Sequence, residues 1–146
     1  MNPDQIAVLR TSFQQVMPIA DQAAALFYGR LFETAPEVRS LFKSPIPEQG
    51  RKLMATLAAV VNGLDDMANL LPAVQALGRR HAGYGVTATH FAPVGAALLW
   101  TLSQGLGEAY TPEVEAAWVD AYGVLSEVML AAASPAAPPA VVPDPA

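Results

Sequence analysis

The sequence predicts an all-α fold of about seven helices joined by short connections. Three observations carry that prediction. Apolar residues recur at steps of three and four along most of the chain, the repeat of a helix with one buried face. No stretch shows the period-two alternation of a half-buried strand. Prolines stand behind good capping residues, as in Asn2-Pro3-Asp4, Thr34-Ala35-Pro36-Glu37 and Thr111-Pro112-Glu113. On this pattern Pro3, Pro18, Pro36, Pro45, Pro47, Pro72, Pro93 and Pro112 mark helix starts, and the pieces between them are helices.

The elements follow in order. Ile6, Leu9, Phe13 and Val16 form the stripe of the first helix. From Ile19 to about Glu33, Ala23, Phe27 and Leu31 make one stripe, and Ala24, Tyr28 and Phe32 make its neighbour. So wide an apolar face implies burial between two layers. Pro36 to Phe42 is a very short helix, and Pro45 and Pro47 forbid a long helix through FKSPIPEQ. Leu53, Leu57, Val60, Val61 and Leu64 give the next stripe, and Val74, Leu77 and Gly78 share a face with His81. Phe91, Val94, Leu98 and Leu102 follow, then Val114, Trp118, Ala121, Leu125, Val128 and Ala132. Residues 1–133 are expected to form one domain. SPAAPPAVVPDPA at 134–146, with its many prolines and no helical pattern, is expected to be a disordered tail. The irregular helix lengths suit steep crossings around an interior pocket better than a regular four-helix bundle.

Composition narrows the function. The chain of 146 residues is 53% hydrophobic and only 14% charged, so it buries more than usual or wraps something apolar. A net charge of −5 disfavours nucleic acid and anionic membrane surfaces as partners. The absence of cysteine excludes disulfides, thiolate catalysis and zinc–thiolate sites. Residues 82–107 carry no Asp, Glu, Lys or Arg, a length that would span a bilayer, but their threonines, His90, Ser103, Gln104 and glycines point to a turn and a buried helix. The N-terminus lacks the basic and apolar regions of a signal peptide, and a cytoplasmic location is expected.

His81 is one of only two histidines, and it lies on a buried stripe while Arg79 and Arg80 point elsewhere. An imidazole so placed is either a core residue satisfied by one hydrogen bond or a metal ligand. Four separated motifs bear on that choice: LFYGRLFETAPEVRSLF at 26–42, GRKLM at 50–54, LGRRHAGYGV at 77–86 and AAWVDAYGVL at 116–125. In order and spacing they resemble a single-domain bacterial haemoglobin, of the lineage that includes the globin domain of flavohaemoglobins. The resemblance covers residues 3–132.

The resemblance implies a globin fold holding haem b, with His81 as the proximal iron ligand. Phe42 matches the phenylalanine that packs flat on the porphyrin, Tyr28 and Gln49 the two polar residues over the distal face, and Leu53 the apolar residue beside the bound gas. Leu77, one turn before His81, would cover the proximal side. The roles make physical sense: iron takes a neutral imidazole nitrogen, and a phenol O–H or amide N–H aimed at a gas that gains negative charge is a charge-assisted donor. Taken alone, Tyr28 and Phe42 are core aromatics, and Gln49 is a first-turn helix residue that faces water. His90 is expected to be a surface residue at a helix cap. Arg51, Lys52, Arg79 and Arg80 either meet the haem propionates or are solvated.

Two departures from the family pattern matter. Where flavohaemoglobins place a tyrosine and a glutamate behind the proximal histidine, this chain has Phe91 and about Ala133, and Glu127 stands two turns earlier. His81 is therefore expected to give its N–H to a backbone carbonyl near Leu77, which favours holding oxygen over peroxidase chemistry. The expected function is reversible binding of dioxygen and other diatomic gases. The alternatives are nitric oxide dioxygenation with a separate reductase as partner, and a haem-free helical module that binds another apolar ligand.

Overall fold

The computed structural model describes residues 2–133; the expected tail at 134–146 lies outside them. Among the described residues there are six α-helices, three short 3-10 turns and no strand. The helices are α1 Pro3–Val16, α2 Ala20–Thr34, α3 Ile46–Gly63, α4 Met67–Gly83, α5 Ala88–Leu106 and α6 Pro112–Ala132. The expected seventh helix is a 3-10 turn, Pro36–Leu41, too short to propagate as α-helix.

The caps read from the sequence are in place. Asn2 Oδ1 accepts from the Gln5 N–H at 2.8 Å while Gln5 answers the Asn2 N–H at 3.3 Å. Thr111 Oγ1 accepts from the Val114 N–H at 3.2 Å. Pro47 marks a helix start as expected: it lies in the first turn of α3, where its missing N–H has no partner to lose, and the Gln49 N–H already donates to the Pro45 carbonyl at 3.0 Å. The proline rule needs correction at two places. Pro72 and Pro93 do not mark starts: each lies inside its helix, in the second turn of α4 and α5. Each removes one backbone hydrogen bond near a helix end, a loss that packing along the rest of the helix outweighs.

α2 is the central layer. Both of its stripes are buried, through Ala23, Ala24, Phe27, Tyr28 and Leu31, and it packs against α3 on one side and α5 on the other. α4 packs mainly on α6. α1 is tied down through Arg10 and Ser12 in its second half. Trp118 Nε1 donates to Ser12 Oγ at 2.9 Å, and Ser12 donates on to the Val8 carbonyl at 2.8 Å. Arg10 pairs with Asp65 at 3.0 Å and donates to the Asn62 carbonyl at 3.0 Å, closing the C-terminal end of α3. The apolar residues divide into a large cluster centred on α2 and a small one of Leu70, Val74, Leu77 and Met129. Among the described residues no helix is long and apolar enough to cross a membrane, and the uncharged stretch is the partly buried α5.

The α4–α6 contact depends on Gly78. A Cβ there would stand 2.5 Å from the Met129 carbonyl oxygen and 2.6 Å from its Cα. Backbone cannot swing aside as a side chain can, so the helices would have to separate. Gly78→Ala should destabilise the fold by about 1–3 kcal/mol, the usual cost of overpacking. A urea titration checks this; an unchanged midpoint would show that α4 and α6 are not in this register.

Candidate functional site

The two apolar clusters do not close on one another. Between them lies a cavity of about 150 Å³, many times the space one water needs. Its wall is almost wholly apolar. α2 contributes Tyr28, α3 contributes Leu53, α4 contributes Leu77 and His81, and Phe42 closes one end after the 3-10 turn.

His81 occupies the last turn of α4 and faces the cavity half-buried. Its Nδ1 lies 2.8 Å from the Leu77 carbonyl oxygen. A carbonyl only accepts, so Nδ1 carries the hydrogen, and Nε2 of the neutral ring keeps its lone pair. Burial lowers the His81 pKa below the ordinary 6.5; the bond to Leu77 works against that shift, and the neighbouring Arg80 charge adds to it. The ring is therefore a neutral base held by one backbone bond. No carboxylate takes part in that bond. Glu127 is exposed on α6, and Ala133, the C-cap residue of α6, has no polar side chain.

Tyr28 is 2% exposed and packs edge-on against Phe42, with ring centroids 5.3 Å apart. Its hydroxyl donates to the Gln49 backbone carbonyl at 3.2 Å. Burial raises its pKa well above the usual phenol value, so the group stays an O–H donor at physiological pH. Gln49 does not face water: it is 0% exposed. Its side chain is not part of the cavity wall, yet both amide atoms, Oε1 and Nε2, are buried without a hydrogen-bond partner. Leaving a buried polar group unsatisfied costs about 1–3 kcal/mol, and among the described residues no group offsets that cost for Gln49.

His90 differs from its sequence reading. It does belong to a cap, where its Nδ1 accepts from the Thr87 N–H at 2.9 Å at the start of α5, but it is half-buried and lines the same cavity. The sequence also left out Tyr122, Ser126, Tyr84 and Thr56, the other polar residues of the wall. Tyr122 donates to the Phe91 carbonyl at 2.7 Å, and burial pushes its pKa up to about 12. The spacing of Tyr122, Leu125, Ser126 and Met129 is that of one helix face, and it was the signal available for them.

The fold and the cavity together define a helical protein built around an apolar ligand space with two imidazoles on its wall, of which His81 is the one held by a backbone carbonyl. The family model described as Globin matches residues 25–129, and the chain belongs to the globin family. It is 32% identical over 133 residues to a flavohemoprotein of Bordetella parapertussis, covering 89% of this chain and 33% of that protein. A flavohemoprotein of Bacillus subtilis is 27% identical over 128 residues, covering 86% of this chain and 32% of that one. One of Rhodopirellula baltica is 32% identical over 114 residues, covering 76% and 28%. The chain thus spans about a third of the length of these relatives. Family membership implies haem, and the residues present fit it: a half-buried neutral imidazole, an apolar slot, and an unsatisfied amide beside Tyr28.

Proposed function

We propose that this globin holds haem b in the cavity, with His81 as the iron ligand, and binds dioxygen reversibly. The observation that carries the reading is the bond from His81 Nδ1 to the Leu77 carbonyl, which leaves Nε2 as the coordinating atom on an apolar wall. When bound, haem supplies an iron with one position open to a diatomic gas.

The chain's own residues do the rest. Leu77 and His81 would hold the group from α4, and Phe42 would pack against it. Leu53 keeps the distal space apolar. Tyr28 remains protonated and offers its O–H, and the Gln49 amide gains a partner it lacks in the protein alone. A backbone carbonyl behind His81 leaves the imidazole close to neutral, which favours holding oxygen over cleaving it. Nitric oxide dioxygenation with a separate reductase would use the same pocket, and turnover with an added reductase distinguishes the two.

The first test is the spectrum of the purified protein. A Soret band rules out the haem-free reading. The ferrous, ligand-free form should be five-coordinate, because a glutamine amide is a poor iron ligand and His90 is engaged at its cap. A six-coordinate low-spin ferrous spectrum would contradict the assignment.

A further inference from the structure

Three polar groups on the cavity wall have given their hydrogen to the backbone. The Tyr28 hydroxyl donates to the Gln49 carbonyl at 3.2 Å, the Tyr122 hydroxyl to the Phe91 carbonyl at 2.7 Å, and His81 Nδ1 to the Leu77 carbonyl at 2.8 Å. His90 is bonded in the opposite sense. Its Nδ1 accepts the Thr87 N–H at 2.9 Å, so in the neutral ring the hydrogen stands on Nε2. Among the described residues that hydrogen has no acceptor. The ring is half-buried and lines a cavity whose wall is almost wholly apolar.

The cap alone does not call for a histidine. His90 is the third residue of α5 and reaches back to the N–H of the cap residue Thr87. Glutamate or glutamine is the usual residue for that task, and a carboxylate there also suits the positive end of a helix. Histidine differs from glutamate in what its far side presents: a hydrogen in place of a negative charge. Such a donor on an apolar wall suits a group that is apolar over its body and anionic at its edge, as haem is with its two carboxylates.

We propose that His90 is a binding residue for the bound group, its Nε2–H donating to one haem carboxylate while its Nδ1 holds the cap of α5. The proposal rests on the haem reading above. His81 then ties the last turn of α4 to the iron, and His90 ties the first turn of α5 to the edge of the same group. The iron bond does not depend on His90, so losing this donor loosens haem without releasing it outright.

The test compares iron protoporphyrin IX with its dimethyl ester, in which both carboxylates are capped and uncharged. Each is loaded into the unmodified protein, His90→Glu and His90→Gln, and its transfer to an acceptor apoglobin is timed. Both substitutions keep an acceptor for the Thr87 N–H. His90→Glu replaces the donor by a negative charge, whereas His90→Gln retains amide hydrogens. His90→Glu should release the acid about tenfold faster, the scale of one hydrogen bond to a charged group, and the ester at the unmodified rate. His90→Gln should stay close to the unmodified protein with both. Cations elsewhere act on the acid alike in all three proteins and cancel in the comparison. The same acid-to-ester ratio in all three, or faster release of acid and ester alike from His90→Glu, means that His90 only caps the helix and overturns the proposal. A second measurement needs no substitution. In the diamagnetic carbon monoxide complex of the unmodified protein, the His90 Nε2 hydrogen should be protected from exchange with the acid and lose that protection with the ester. Equal exchange in the two overturns the proposal. A chain that takes up neither group shows no Soret band, and that overturns the haem reading itself.

Discussion

His81→Ala should lose stable haem while His90→Ala keeps it. Both imidazoles line the same cavity, so proximity alone does not separate them. Their hydrogen bonds do. His81 gives its Nδ1 hydrogen to a carbonyl of its own helix, one turn back, and keeps a lone pair on the nitrogen that faces away from that bond. His90 spends its Nδ1 lone pair on the Thr87 N–H, which places its hydrogen on Nε2 in the neutral ring, a donor with no free lone pair to coordinate iron. The His81 bond is local, so its loss should leave the helices assembled, and circular dichroism should show a folded apoprotein. Haem transfer to an acceptor apoglobin is the measurement. Equal retention by the two variants would contradict the ligand assignment.

Tyr28→Phe should accelerate dioxygen dissociation. A hydrogen bond to a charged acceptor contributes about 1.5–3 kcal/mol. Lost wholly from the liganded state, that corresponds to roughly 10- to 100-fold in affinity. In the structure the Tyr28 hydroxyl donates to the Gln49 carbonyl, so reaching a ligand means exchanging one acceptor for another. Gln49 brings an amide with no protein partner and is the natural second donor. Removing Tyr28 alone should therefore fall short of the full loss, and Tyr28→Phe with Gln49→Leu should exceed the sum of the single changes. Stopped-flow displacement of oxygen measures the rates. Unchanged dissociation in both single variants and in the pair would show that neither side chain touches the ligand.

Much of this architecture was legible in the residues. The double stripe of α2 announced a helix buried on two sides, and both stripes are buried but for the half-buried Phe32. The bond from His81 to Leu77 followed from the absence of a carboxylate at Phe91 and Ala133. Less legible was anything set by tertiary packing. Pro72 and Pro93 read as helix starts because the local cost of a mid-helix proline is visible in sequence, whereas the burial that offsets it is not. On α6 the sequence suggested one stripe through Leu125 and Val128, but this helix meets α1 near Trp118 and α4 near Met129. Its buried face shifts along its length, and its many alanines and valines blur the pattern. That is why Tyr122 and Ser126 went unassigned. Taken alone, without the resemblance that assigned it to the distal side, Gln49 reads as a solvent-facing first-turn residue; its burial is imposed by α2 packing across the start of α3.

The central claim is a neutral His81 bonded to a backbone carbonyl and ligating the iron. Resonance Raman spectroscopy of the ferrous, ligand-free protein tests it directly through the iron–histidine stretch. The geometry predicts a band in the range of neutral, carbonyl-bonded imidazoles, absent from His81→Ala. A band in the range of carboxylate-paired histidines would mean that an acid reaches His81, and the absence of any such band in the unmodified protein would mean that His81 is not the ligand.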